Sequence, residues 1–249
     1  MGQLSLLDRL LQPHALRAVF QPVVNLGLAG RPVHYHEGLV RGPRGTNVER
    51  PDVLFEYARR KLAEAAVDRA ALRAVLRAAG VCRGATVGLN VHRSTVAHDC
   101  GFVAFLSGEL AKAGIAARSV VLELVEHGEL CDMRTLLPRL DDLRCMGVRV
   151  ALDDFGTGHA NYMMLLECRP DYVKVDRRFV HGCHSDDRRQ AFLDSLVALA
   201  GRVKAQLVAE GVEQSADLES VRHAGIALAQ GFLLGRPGLG VWRSSECCA

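Results

Sequence analysis

Short β-branched and apolar runs alternate along the chain with longer stretches of helical period. The runs predict eight strands: 19–26 (VFQPVVNL), 33–40 (VHYHEGLV), 86–91 (TVGLNV), 120–125 (VVLELV), 148–155 (VRVALDDF), 172–176 (YVKVD), 206–212 (QLVAEGV) and 228–235 (LAQGFLLG). Between the second and third, Leu54, Ala58 and Leu62, then Leu72, Leu76 and Ala79, predict one long amphipathic stretch closed by Gly80. Helical spacing returns over 102–113, 134–146 (with Pro138 limiting its first turn), 186–203 and 216–224, while 159–168 holds a short helix. Strand followed by helix, repeated, implies parallel strands closed into a barrel.

The first pair departs from that rhythm. Only GLAGRP separates strands one and two, and a parallel crossover needs about a dozen residues, so these two form an antiparallel hairpin. The expected fold class is α/β, a modified TIM (β/α)8 barrel with the first strand antiparallel. One domain over residues 1–249 suits this length, with a helix-like N-terminal segment at 1–18 and a tail at 238–249. No Ser/Pro/Gly-rich stretch is long enough to act as a linker.

Composition narrows the partners. The chain is 49% hydrophobic and 24% charged with a net charge of +3, and its 27 Arg are scattered among Asp and Glu. Without a basic stripe, no long nucleic-acid partner is expected. No apolar run approaches the roughly 18 residues of a membrane span. The N-terminus MGQLSLLDRLLQPHALRAVF carries charge through its apolar stretch, unlike a signal peptide. Eight cysteines (82, 100, 131, 145, 168, 183, 247, 248) form no CxxC pair, which suits free thiols in a reducing cytoplasm. In HGCH, His181, Cys183 and His184 could gather around a metal, but zinc sites normally need four such ligands, and a loop with an incidental thiol is the preferred reading.

The candidate chemistry lies at strand ends. Seven of the eight predicted strands carry polar residues at or near their C-terminal ends: Glu37, Asn90, Glu123, Asp153 with Asp154, Lys174 with Asp176, Glu210 and Gln230. In a barrel those ends meet at one mouth, where active sites are assembled. Singly, each has a plain structural reading; Asp153 and Asp154 before Gly156-Thr157-Gly158 would serve as a turn and helix cap. Together, Glu37, Asn90, Glu123, Asp153, Asp154 and Glu210 offer five carboxylates and one amide, all hard oxygen ligands. That set suits Mg²⁺ or Mn²⁺, with charge for two ions sharing a bridging carboxylate.

Lys174, one of four lysines, is flanked by valines inside a strand. Desolvation or nearby cations would lower its pKa and let it orient or activate a water, or it pairs with Asp176 on the same strand face. In HYHE, strand alternation points His34 and His36 away from the face of Glu37, against a shared metal site. GTGHAN lacks the Gly-Lys-Ser/Thr of a phosphate loop and signals a sharp turn.

In this order FQPVVNL, EGLVRGP, LNVH, LELVE, ALDDFGTG, YVKVD, VAEGVE and AQGFLLGRP resemble the EAL-domain cyclic-di-GMP phosphodiesterases, from about Phe20 to Pro237. The resemblance implies hydrolysis of cyclic di-GMP to linear 5′-pGpG by a water activated by two metal ions. Glu37, Asn90, Glu123, Asp153, Asp154 and Glu210 would be the metal shell. Lys174, Glu210 and Gln230 would be the catalytic groups, and Gln21, Leu39, Arg41 and Asp176 would meet the substrate, Arg41 at a phosphate. It also implies Glu126 and Glu213 as supporting residues, with Glu126 tethering the loop after Asp154. Gly38 stands where the family has alanine. The loop, normally with an aromatic and serines, reads HANYMM (159–164). In the family this loop is linked to dimerisation, so a homodimer through the 156–164 region is expected, with Tyr162, Met163 and Met164 suited to burial there. A cyclic-di-GMP receptor that has lost turnover is the alternative, and a scaffold acting through protein contacts alone a third reading. No sensor segment fits into the first 18 residues, so control would come from a separate regulatory protein or from a longer parent chain.

Overall fold

The computed structural model describes residues 4–80, 84–125, 132–157 and 161–240. Eight strands, β1 (Arg17–Asn25), β2 (Val33–Arg41), β3 (Val87–His92), β4 (Val120–Val125), β5 (Arg149–Phe155), β6 (Tyr172–Val175), β7 (Gln206–Ala209) and β8 (Leu228–Ala229), close into a barrel in chain order. β1 runs antiparallel to both β2 and β8, and every other pair is parallel. The short hairpin does what its length requires, with the Asn25 N–H donating to the Pro32 carbonyl at 2.9 Å.

The helices are α1 (Leu6–Leu10), α2 (Pro51–Arg60), α3 (Glu64–Ala79), α4 (Arg93–His98), α5 (Phe102–Ala113), α6 (Met133–Cys145), α7 (Asn161–Cys168), α8 (Arg177–Val180), α9 (Asp187–Val203) and α10 (Ser215–His223). Local chemistry sets their ends. Ser5 and Asp8 form a reciprocal capping box on α1, and Asp186 accepts from the Arg188 and Arg189 N–H groups to start α9.

Three expectations need correction. The stretch 54–79 is two helices, because Leu62 turns left-handed at φ 51° and its side chain lies 95% exposed instead of extending the apolar stripe. β8 stops at Ala229: Gly231 lies so close to the Val212 backbone that a Cβ would collide with it, and Leu234 and Gly235 both donate back to the Gly231 carbonyl in a turn. β7 ends at Ala209, and Glu210 follows it. The short helices α4 and α8 carry too little periodicity to be foreseen.

The barrel interior is built in two layers. Residues at spacing two along a strand share a face, and the register sets Val23 opposite Tyr35, Gly88 opposite Val121, Ala151 opposite Tyr172 and Val208 opposite Leu228. With Gly88 as the bare eighth position, the other seven form one buried cluster, apart from the larger core between strands and helices. Two residues nearer the mouth, every strand or the residue just past its end supplies a polar group: Gln21, Glu37, Asn90, Glu123, Asp153, Lys174, Glu210 and Gln230. An apolar floor thus carries a polar ring.

Just outside the ring, α3 is bolted to the β3–α4 junction by Asp68, which is 1% exposed. Its carboxylate accepts from the His92 N–H at 3.1 Å, pairs with His92 Nδ1 at 2.9 Å and accepts from Thr95 Oγ1 at 2.6 Å. Burial opposes protonation of His92, but the Asp68 bond and charge outweigh it and hold the imidazole above its ordinary 6.5. Asp68→Ala is expected to cost about 3–5 kcal/mol in urea unfolding. The His92 share of that cost is fully present below about pH 6.5 and fades as pH rises through the folded value; an unchanged urea midpoint would show the bolt to be dispensable.

Among the described residues, no helix is long and apolar enough to cross a membrane. Cys100, Cys145, Cys168 and Cys183 are free thiols. The HGCH segment is a tied loop: Asp217 accepts from the Gly182 N–H at 3.0 Å and meets His184 Nδ1 at 2.7 Å.

Candidate active site

At the centre of the polar ring stands Lys174, 1% exposed. Its ammonium lies 2.6 Å from Glu123 Oε2, 2.9 Å from Asp153 Oδ1, 2.9 Å from Glu210 Oε1 and 3.3 Å from Glu37 Oε2. Four strands thus deliver a carboxylate to one cation. This overturns the pairing of Lys174 with Asp176, whose carboxylate caps α8 and bonds Arg178 instead. The expected lowering of the Lys174 pKa is corrected too: burial pulls it down, but Asp153, Glu123, Glu210 and Glu37 outweigh burial and raise it well above its ordinary value.

The amides complete the inner arrangement. Asn90 Nδ2 donates to Glu37 Oε1 at 2.8 Å, and Gln230 Nε2 donates to Glu37 Oε2 at 2.6 Å. Gln21 Oε1 lies 3.2 Å from the same Gln230 nitrogen, and the Gln21 amide donates to the Gly235 carbonyl at 3.0 Å. Glu37 is consequently the best-satisfied carboxylate. Burial would raise its pKa, but Lys174 and the two amides bring it below the ordinary range.

The other acids are strained electrostatically. Burial, with Glu37 and Asp153 adding to it against Lys174, pushes Glu123 up to about 8. Burial and the neighbouring Asp153 and Asp176 push Asp154 up to about 7. Glu210 is likewise raised well above its ordinary value, by burial first. Asp154 also sits at φ 50°, a left-handed conformation that turns the chain after β5.

These groups fit hard divalent cations on three observations. Oxygens of Glu37, Glu123 and Asp153 lie within 4.8 Å of one another, and so do oxygens of Asp153, Asp154 and Glu210, giving two triads with Asp153 in common. Glu123 Oε1 is buried with no hydrogen-bond partner among the described residues. Gly88 leaves the space that the Glu123 carboxylate fills, since a Cβ there would collide with Oε1. Every donor is an oxygen.

The remaining sequence-derived residues are more peripheral. Leu39 and Arg41 continue the inward face of β2 above Glu37; Arg41 is half-buried and folds back to donate to the Val40 carbonyl at 2.8 Å. Glu213 pairs with Arg177 at 3.3 Å. His36 is buried and held neutral, its pKa lowered by burial to about 4, and takes no part in either carboxylate triad. Glu126 and residues 158–160 of the loop lie outside the described residues. In the rest of that region Met164 is buried within this chain rather than available to a partner, whereas Tyr162 and Met163 are exposed.

Sequence reasoning passed over Tyr35 and Gly88. Both lie on an inward face, two residues before Glu37 and Asn90, and that spacing was the available signal.

Comparison with known proteins agrees with this geometry. The family profile of the EAL domain matches residues 5–237. The chain is 32% identical over 151 residues to the bifunctional diguanylate cyclase/cyclic di-GMP phosphodiesterase MucR of Pseudomonas aeruginosa, covering 61% of this chain and 22% of that protein. The chain therefore spans about a fifth of that relative's length. The Klebsiella pneumoniae BlrP1 calcium/cy-diGMP complex superposes with a TM-score of 0.82 at 26% identity, covering 98% of this chain and 60% of that one. The EAL domain of Mycobacterium smegmatis DcpA does so with a TM-score of 0.75 at 28% identity, covering 92% and 94%.

Proposed function

Since the chain belongs to the EAL-domain family of cyclic di-GMP phosphodiesterases, we propose that it hydrolyses cyclic di-GMP to linear 5′-pGpG with two divalent ions, Mg²⁺ or Mn²⁺. The observation that carries this reading is the pair of carboxylate triads sharing Asp153. Glu37, Glu123 and Asp153, with the amide oxygen of Asn90, would hold one ion and Asp153, Asp154 and Glu210 the other. Bound there, the ions would make water a nucleophile near neutral pH and offset charge developing on the phosphate.

The chain's own residues do the rest. Lys174 carries a proton at the centre of the ring, where it can hold a water and restrain it against the phosphate. Gln230 and Gln21 fix Glu37 in one orientation. Arg41, the half-buried cation at the end of β2, would grip a phosphate oxygen, with Leu39 and Asp176 lining the way in. This reading treats the chain as one domain. It includes a homodimer through the exposed apolar side chains of Tyr162, Met163 and Leu166 on α7.

Chromatography of products after incubating the protein with cyclic di-GMP and Mg²⁺ tests the reading. Appearance of 5′-pGpG is expected. Tight binding without product would establish the receptor alternative, and neither binding nor product would remove both. Arg41→Ala is expected to weaken nucleotide affinity by about 1.5–3 kcal/mol, the worth of a charged hydrogen bond. Equilibrium dialysis measures it, and unaltered affinity would place Arg41 outside the substrate's reach.

A further inference from the structure

Tyr35 lies on the barrel floor directly under the carboxylate ring. It is 1% exposed, two residues before Glu37 on the same face of β2, and packs against the Tyr172 ring at 5.8 Å between centroids. The two tyrosines differ in one respect. The Tyr172 hydroxyl meets Arg149 Nη1 at 2.7 Å and His34 Nε2 at 2.9 Å, at the strands' N-terminal ends. The Tyr35 hydroxyl has no hydrogen-bond partner among the described residues.

A buried hydroxyl without a partner is unfavourable, and natural interiors contain few. Glu123 Oε1 is in the same condition. One is a donor and the other an acceptor, and both side chains lie against the bare backbone of Gly88 on β3: a Cβ there would collide with Glu123 Oε1 and stand 3.0 Å from Tyr35 Cε2. With the Lys174 ammonium 2.6 Å from Glu123 Oε2, that carboxylate is held from one side by a cation. A divalent ion entering the Glu37–Glu123–Asp153 triad would compete with Lys174 for the same three carboxylates.

We propose that Tyr35 is a positioning residue for Glu123, its hydroxyl donating to that carboxylate when a divalent cation competes with Lys174 for it. This rests on the metal-dependent reading above. The hydroxyl then fixes which way Glu123 faces while its counter-charge changes, and it contributes to metal affinity without touching metal or substrate. Until the cation binds, the hydroxyl contributes nothing to the fold.

That asymmetry supplies the test. Mn²⁺ binding to the full chain is measured by calorimetric titration without nucleotide, for wild type and Tyr35→Phe, alongside the melting temperature of each in chelator. Tyr35→Phe is expected to weaken Mn²⁺ binding by about 10-fold, the low end of the range for residues that orient a metal ligand, and to melt no lower than wild type in chelator. Equal Mn²⁺ affinities would overturn the proposal. A lower melting point in chelator would also overturn it, because the hydroxyl would then be serving the metal-free fold. A wild type that takes up no Mn²⁺ would overturn the metal reading together with this one, so the two failures are distinguishable.

Discussion

Lys174→Met is expected to lower turnover of cyclic di-GMP by about 10² or more and, in chelator, to lower unfolding free energy by about 3–5 kcal/mol. Both effects come from the position of one ammonium. Among the described residues it is the cation in direct contact with Glu37, Glu123, Asp153 and Glu210, all within 3.3 Å. Methionine fills similar space without charge and leaves two buried and two partly buried carboxylates facing one another, so some must take up protons for the barrel to close. Millimolar Mg²⁺ should restore most of the stability, since a divalent ion replaces the lost charge, but not the turnover, since it does not replace the water-holding group. Denaturant titration with and without Mg²⁺, beside a turnover assay, separates the two roles. Normal turnover in Lys174→Met would make the lysine a structural counter-ion alone.

Asp153→Asn is expected to reduce turnover by about 10³, close to the effect of excess chelator, whereas Glu37→Gln leaves more activity when Mn²⁺ is raised. Asp153 is the residue common to both carboxylate triads, so neutralising it weakens both at once; Glu37 belongs to one. A two-ion site depends on holding the attacking and leaving oxygens at a fixed separation, so losing the shared ligand removes that clamp as well as some affinity. Ca²⁺ should support less turnover than Mg²⁺ or Mn²⁺, because it takes longer and looser bonds to oxygen. Turnover by Asp153→Asn at wild-type rate in saturating Mn²⁺, or robust hydrolysis in excess chelator, would count decisively against the shared-carboxylate arrangement.

Much of the site was readable because two periodicities coincide in it. A strand's period of two and the barrel's polarity place Glu37, Asn90, Glu123, Asp153, Lys174, Glu210 and Gln230 on one ring, and each is visible as a polar residue ending an apolar run. The distances between strands are not written along any one strand. For that reason the strand alone offers Lys174 only Asp176 as a partner, whereas its carboxylates come from β2, β4, β5 and the residue just past β7. The same limit applies to Leu62, which fits the apolar stripe of one helix but stands at a left-handed turn between two. The sequence signal of Tyr35 is only its even spacing from Glu37.

The reversed direction of β1 gives the chain an unusual point of entry. In a barrel of eight parallel strands the first residue of strand one lies at the base, remote from the catalytic end. Here Arg17 opens β1 opposite Arg41, which closes β2 at the rim, and Gln21 lies opposite Glu37. Residues before Arg17 therefore arrive beside the mouth. Leu10 and Leu16 of that incoming segment share a small core with Val40, Val48, Leu54 and Ala58, distinct from the two cores of the barrel itself. The leading segment is therefore packed against the end of β2 beside Arg41, so a displacement of the chain just before β1 is expected to be felt at the rim of the barrel rather than at the base of the scaffold.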